Sequence, residues 1–299
     1  MKLLDFIFAA RPMLLLPVWS IYLISFRYYR DAVSLQFDAY LVLFGATFLF
    51  AGAYYINQVY DYDSDLFNKK LGFLQKGLIG IGQMKAAYII VSILGLAAGA
   101  VSGTIVFTAL SVILLLGYIY SAPPVRLKDR PLAGLLANSV AYGIFLPLTV
   151  PGLKPEIFTS YLLLPLFMFL AVAAGYLLTI IPDREGDLAS GKKTLAAFIP
   201  DRAIIALGVV FIVVSLVCAW NLDHYYLIGV SALSLGLFTV ALIRPRPGVI
   251  LFACKFPILL MSLLAGCYYP AYLVFLVALL IVTRLYYRRR FNLDYPRLS

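Results

Sequence analysis

The sequence predicts an all-α membrane protein, because apolar residues dominate it, charged residues are scarce, and the apolar residues fall into long runs. Hydrophobic residues make up 63% of the 299 residues and charged residues 13%, whereas soluble domains contain about 25% charged residues. The mean hydropathy is +0.96. The alternating pattern of a membrane β-barrel is absent from the sequence. We therefore expect a polytopic helical bundle, formed by one transmembrane domain over residues 1–299.

Ten apolar runs divide the chain, several of them shorter than the roughly 20 residues that a membrane span needs. The first run follows no signal-peptide cleavage pattern, so we expect it to be a retained span. The runs lie near 12–26, 39–56, 86–100, 105–120, 132–150, 161–181, 204–220, 225–243, 249–266 and 270–285.

Basic residues alternate between the connections in the manner of the positive-inside rule. With the N-terminus in the cytoplasm, the outer connections receive only Arg27, Arg30 and Lys154. This topology accounts for the net charge of +10, so we expect no nucleic-acid binding. The predicted cytoplasmic connections and the C-terminus carry many more basic residues. These are Lys69, Lys70, Lys76, Lys85, Arg126, Lys128, Arg130, Arg184, Lys192, Lys193, Arg202, Arg244, Arg246, Arg288, Arg289, Arg290 and Arg297.

A polar face ends the second apolar run. Asn57, Asp61 and Asp65 are spaced i, i+4 and i+8, and each step drifts by about 40° around a helix, so the three side chains share one face. Asp63 is expected to point the other way. Uncompensated carboxylates at the end of a membrane span are costly. The spacing therefore predicts that a cationic group lies beside them.

A second acidic pair ends the sixth run, where Asp183 and Asp187 are again spaced i, i+4. Both acidic stretches fall on the predicted cytoplasmic side. Oxygen ligands favour Mg²⁺, which commonly bridges carboxylates to substrate phosphates. Cations in the same connections would neutralise the remaining phosphate charge. The pattern thus predicts a Mg²⁺–diphosphate site, with Lys69, Lys70, Arg126, Lys128 and Arg184 as the nearby cations.

Loss of a diphosphate would leave a carbocation, and the spans are rich in Tyr and Phe, whose ring faces attract cations. Two other functions remain open. Intramembrane carboxylates also occur in cation-coupled transporters, although these carboxylates cluster at span ends, and paired broken helices are not evident. A lipid-diphosphate hydrolase, in which water replaces the acceptor, is not separated from a transferase by the sequence.

The motifs resemble those of the UbiA-type intramembrane prenyltransferases. Asn57-x3-Asp61-x3-Asp65 is similar to their NxxxDxxxD motif, and Asp183-x3-Asp187 with the run 191–194 is similar to their second motif. The segment 120–128 resembles the loop after their fourth span, most closely in chlorophyll-synthase-type members. Arg11 with Pro17 fits the family opening, and the resemblance extends from about residue 11 to residue 265.

The resemblance implies a fold related to soluble isoprenyl synthases, with nine core spans around a central cavity. The tenth run is then either an added span or half of a split helix. It also implies Mg²⁺-dependent transfer of an isoprenyl chain, such as geranylgeranyl, from its diphosphate to a lipid-soluble acceptor in quinone or lipid biosynthesis. An aromatic acceptor is favoured, but a chlorin carboxylate and a glycerol-phosphate lipid stay open.

The resemblance further implies roles for individual residues. Asn57, Asp61 and Asp65 would hold one Mg²⁺–diphosphate unit, and Asp183 and Asp187 the other. Tyr120 would lie near the developing cation. The diphosphate would be bound by basic residues of the same region: Arg11, Lys69, Lys70, Arg126 and Lys128.

Overall fold

A computed structural model describes residues 2–30, 36–67, 72–154, 162–189 and 191–296. All regular elements in these residues are helical, which confirms the predicted fold class. The helices are α1 (Lys2–Ala9), α2 (Leu16–Arg30), α3 (Phe37–Tyr60), α4 (Tyr62–Phe67), α5 (Ile81–Ser102), α6 (Thr104–Ser121), α7 (Ala133–Leu148), α8 (Leu163–Thr179), α9 (Arg184–Ala189), α10 (Asp201–Asn221), α11 (Tyr225–Ile243), α12 (Pro247–Tyr268) and α13 (Pro270–Phe291).

The apolar runs of the sequence become separate helical segments. Within the described residues, eight helical segments are long and apolar enough to cross a membrane, counting Lys2–Arg30 as one, and α7 and α8 are shorter apolar helices. The protein is therefore an integral membrane protein. The tenth run is a helix in its own right, because α12 ends at Tyr268 and α13 begins at Pro270.

The bundle is held together by extensive packing of α3 against α5 and α6, and of α8 against α10. Small residues at the helix contacts allow the backbones to approach closely, as is common within membranes. Gly143 lies in a π-helical turn of α7, and a Cβ atom at this position would clash with the backbone of Phe169 on α8. This close approach matters for the site, since α7 and α8 both line the central cavity.

We expect Gly143→Ala to lower the free energy of unfolding by about 1–3 kcal/mol, because the added methyl group meets backbone atoms that cannot move aside easily. Gly236→Ala on α11 is the matched control, since nothing lies within 4 Å of its Cβ position. Thermal unfolding of the purified protein in detergent measures both changes. Equal melting temperatures for the two variants would contradict the packing described for α7 and α8.

Candidate active site

A cavity of about 660 Å³ extends from the polar ends of α3, α6 and α8 into the helix bundle. Its inner part is lined mainly by apolar and aromatic side chains of α2, α3, α6, α7, α8, α10, α11 and α12. The two predicted acidic motifs meet at its polar end. This end is lined by Asn57, Asp61, Asp65, Asp183 and Asp187, together with Arg11, Lys128 and Lys192.

The sequence predicted that the first motif lies on one continuous helix, and the structure corrects this prediction. Helix α3 ends at Tyr60, Asp61 has φ −96° and ψ 3°, and α4 begins at Tyr62. The helical hydrogen-bond register nevertheless continues through the bend. The Asp61 N–H donates to the Asn57 carbonyl (2.9 Å), and the Asp65 N–H donates to the Asp61 carbonyl (2.8 Å). All three polar residues therefore line the cavity, and Asp63 is exposed, as expected.

The second motif lies at a separate short helix, with Asp183 directly before it and Asp187 within it. Helix α8 ends at Thr179, and α9 begins at Arg184. Pro182 contributes to this break, because it lacks an N–H donor and disfavours helical geometry in the preceding residue. The Asp187 N–H donates to the Asp183 carbonyl (2.8 Å), so the pair shares one helical turn.

The cation predicted beside the first motif is Lys128. Its Nζ donates to Asp61 Oδ1 at 2.6 Å, and both side chains are largely buried. Burial lowers the pKa of Lys128, and the negative charge of Asp61 opposes that change. Arg126 Nη2 lies 3.5 Å from the same oxygen. Two cations from the connection that follows α6 thus compensate the Asp61 carboxylate.

Lys192 lies near carboxylates of both motifs. The sequence had indicated this lysine only as one of the basic residues on the cytoplasmic side. Its Nζ lies 3.4 Å from Asp187 Oδ1. Burial alone would lower the pKa of Lys192, but the charges of Asp61, Asp187 and Asp129 outweigh burial and raise it. Lys192 therefore stays protonated at neutral pH. Its position five residues after Asp187, in the run that resembles the second family motif, was the available signal.

The run after Lys192 contributes a further polar group. Thr194 is buried and lines the cavity. Among the described residues, its hydroxyl oxygen is buried without a hydrogen-bond partner. The Lys193 N–H donates to the Asp129 carbonyl at 3.1 Å, which ties this run to the connection after α6. A buried hydroxyl of this kind at a cavity wall is available to a bound ligand.

Aromatic side chains form the wall next to the carboxylates. Tyr120 lies beside Asn138 and Tyr176, and the Tyr54 and Tyr142 hydroxyls are 3.5 Å apart. All five residues line the cavity. The Tyr54–Tyr142 contact holds these two rings together, and all four tyrosine rings border the cavity.

Asn57 is oriented by the end of α6. Its Nδ2 donates to Ser121 Oγ at 3.0 Å. With the amide nitrogen used in this way, Oδ1 is the atom that remains for a cation.

The predicted diphosphate-binding cations are distributed unequally. Arg11 and Lys128 line the cavity. Arg126 is not among the described lining residues, and its Nε donates to Asp129 Oδ2 at 2.7 Å. Lys69 and Lys70 lie outside the described residues.

The described residues do not form a metal site from protein ligands alone. In the ranges that the structure covers, no group of three or more His, Cys, Asp or Glu side chains is arranged to hold an ion. Mg²⁺, however, is usually bound by one or two carboxylates together with substrate phosphates and water. Two sets of oxygen donors at one cavity end, three in the first motif and two in the second, fit Mg²⁺ that is shared with a substrate.

Comparison with known proteins identifies the family. The model of the UbiA prenyltransferase family matches residues 14–248. The chain belongs to this family. Its bundle is similar to a UbiA homologue from Archaeoglobus fulgidus bound to GPP and Mg²⁺, with a TM-score of 0.71, 21% identity, and coverage of 90% of this chain and 99% of that one. An apo UbiA homologue from Aeropyrum pernix gives a TM-score of 0.67 at 14% identity, covering 86% and 96% of the two chains. These likenesses confirm the predicted UbiA fold.

The relatives that match the chain include two enzymes with different names. Homogentisate phytyltransferase from a Synechocystis species is 31% identical over 195 residues, which are 60% of this chain and 62% of that protein. The match therefore spans less than two thirds of that relative. Digeranylgeranylglyceryl phosphate synthase from Sulfolobus acidocaldarius is 27% identical over 231 residues, covering 74% of this chain and 81% of that protein.

We expect Lys128→Met to lower the free energy of unfolding by about 3 kcal/mol, because it removes the closest cation from a buried carboxylate. Asp61→Asn in the same chain should restore part of the loss, since no buried charge is then left weakly compensated. Lys193→Met, at an exposed lysine, is the control. Thermal unfolding in detergent checks the series, and equal effects of Lys128→Met and Lys193→Met would refute the buried pair.

Proposed function

We propose that this protein, with all 299 residues in one domain, is a Mg²⁺-dependent intramembrane prenyltransferase. It moves an isoprenyl chain, such as geranylgeranyl, from its diphosphate to a hydrophobic acceptor. The observation that carries the proposal is the meeting of two aspartate motifs at one end of a cavity whose inner part is apolar and aromatic. A substrate with an anionic head and a long hydrocarbon tail matches that arrangement.

The charge of the polar end supports a metal-dependent mechanism. Four carboxylates and three cations are among the described lining residues, which gives a formal charge of −1. The carboxylates at this end repel a diphosphate, and divalent cations bound to them would remove that repulsion. Asn57, Asp61 and Asp65 would hold one Mg²⁺, and Asp183 with Asp187 another. When bound, Mg²⁺ would neutralise the diphosphate oxygens and make the diphosphate a better leaving group.

The chain's own cations complete the head-group site. Lys128 and Lys192 contact Asp61 and Asp187, respectively, at the cavity end. Both carry ammonium protons that can be donated to phosphate oxygens, as can the Arg11 guanidinium on the same lining. We therefore assign these three residues to the neutralisation of diphosphate charge, and Thr194 to a hydrogen bond with the bound substrate.

The aromatic wall would protect the allylic cation left by diphosphate departure. The ring faces of Tyr54, Tyr120, Tyr142 and Tyr176 can stabilise positive charge. The surrounding bundle would exclude bulk water from these rings. An electron-rich acceptor would then attack the cation and lose a proton, which the released diphosphate or one of the aspartates would take.

We expect binding of radiolabelled geranylgeranyl diphosphate to the purified protein to require Mg²⁺. Asp65→Asn and Asp183→Asn should each weaken it by on the order of 100-fold, because each removes a charged oxygen ligand. Asp63→Asn is the matched control, since Asp63 is exposed on the same short helix and is not among the lining residues. Equal weakening by Asp63→Asn, or tight binding without Mg²⁺, would refute the proposed site.

The same preparation separates the alternative functions. A transferase forms labelled prenylated product only when an acceptor is added, and an aromatic acceptor and a glyceryl phosphate lipid are tested in parallel. A lipid-diphosphate hydrolase would release a prenyl alcohol at the same rate without either acceptor. A cation-coupled transporter would form no product, and reconstituted vesicles would instead show cation-dependent uptake.

The active site is proposed to face the cytoplasm, with the N-terminus on the same side, because the described connections at this end carry most of the basic residues. We expect Lys193→Cys to react with a membrane-impermeant maleimide only after cell lysis, and Lys154→Cys to react in intact cells. Both lysines are exposed. Cys267, which is also exposed, is replaced by Ser in both variants. The reverse labelling pattern would overturn the proposed orientation.

A further inference from the structure

The N-terminal and C-terminal helices meet at a buried carboxylate. Asp5 on α1 is 1% exposed. It accepts a hydrogen bond from the Tyr286 hydroxyl at 2.5 Å, and bonds from Arg290 Nε and Nη2 at 3.1 Å and 2.9 Å. The family match covers residues 14–248, so both sides of this contact lie outside it.

Helix α1 depends on its neighbours, because eight residues are too few for a stable isolated helix. The Phe8 ring stacks on Tyr286 with a centroid distance of 3.8 Å. On the other side, Tyr55 of α3 donates to the Phe6 carbonyl (2.9 Å), and Gln58 donates to the Ala9 carbonyl (2.8 Å). Helix α1 is thus fixed between α13 and the end of α3 that carries the first aspartate motif.

Arg11 follows this docked helix directly and lines the cavity. Its φ is 54°, in the left-handed region, which is unfavourable for a residue with a side chain. The turn is held by the Arg11 N–H, which donates to the Phe8 carbonyl (3.1 Å), and by the Leu14 N–H, which donates to the Arg11 carbonyl (2.8 Å). Such a conformation persists only when both flanks are fixed. The docking of α1 fixes one of them.

The C-terminal segment also packs against α13. Burial raises the pKa of Tyr295, and the positive charge of Arg11 opposes that rise. The Tyr295 ring lies 4.7 Å from the ring of Tyr287 on α13.

We propose that Asp5, Tyr286 and Arg290 form a positioning site, through which the C-terminal helix holds Arg11 in the cavity for contact with the anionic head of the substrate. The three residues act through Arg11 and do not touch the substrate. The inference rests on the proposed function, because the ligand of Arg11 is the diphosphate.

A double-mutant cycle tests whether Arg290 acts through Arg11. We expect Arg290→Gln to weaken Mg²⁺-dependent binding of geranylgeranyl diphosphate about tenfold, as Arg11→Gln does, and the double variant to bind no more weakly than Arg11→Gln alone. Arg290→Lys should recover part of the affinity. Arg289→Gln, at an exposed arginine of the same helical turn, should bind like the wild type. Additive losses in the double variant would overturn the inference while leaving the proposed function intact.

Hydrogen exchange gives a readout that needs no substrate. In Arg290→Gln, the amides of residues 11 and 14 should exchange faster than in the wild type and in Arg289→Gln. Tyr286→Phe, which keeps the ring stack but removes one donor, should show a smaller change in the same direction if Arg290→Gln fails to fold. Unchanged exchange in folded Arg290→Gln or, failing that, in Tyr286→Phe would overturn the positioning role. Absence of diphosphate binding by the wild type would instead overturn the proposed function, and the inference with it.

Discussion

The structure of the site depends on the compensation of carboxylates at the end of apolar helices. Asp61 lies where α3 stops, largely buried, and Lys128 Nζ approaches it to 2.6 Å. Because this lysine comes from the connection after α6, the charge pair joins two parts of the chain that apolar packing alone would not fix. Lys192, in the connection after α9, links this pair to the second motif, because the charges of Asp61 and Asp187 both raise its pKa. The requirement for charge compensation therefore brings the two aspartate motifs together.

The need for charge compensation also suits a site whose carboxylates pair with lysines in the free protein and with divalent cations when substrate binds. Each motif is associated with a lysine, and the described residues contain no cluster of three metal-ligating side chains. Under the proposed function, substrate and divalent cations enter together, and the lysines then neutralise phosphate as well as carboxylate charge. A resident all-protein metal cage would hold its ion too tightly for this exchange, whereas Mg²⁺ sites usually leave positions for phosphates and water.

Local geometry explains what the sequence could predict. The i, i+4 spacing of Asn57, Asp61 and Asp65 places the three side chains on one face wherever the helical hydrogen bonds continue. These bonds continue through the bend at Asp61, so the three residues still share a face. The need for a cation was also predictable, and Lys128 was one of five candidates. The sequence did not single it out, since Lys128 lies 67 residues from Asp61. The contact of Arg290 with Asp5 spans 285 residues. No local pattern encodes which distant residues meet, so arginines of the 288–290 run were assigned to topology alone.

The role of Arg290 follows from the nature of packing in a membrane. Apolar contacts between helices gain little over contacts with lipid tails, so they do not by themselves select one register between two helices. A buried carboxylate does select one, because leaving it without its partner is strongly unfavourable. Arg290 and Tyr286 donate to Asp5, whereas Arg289 in the same turn is exposed. Helix α13 thus influences the cavity through its polar contact with Asp5. This contact fixes α1, and α1 in turn fixes Arg11, which follows it in the chain.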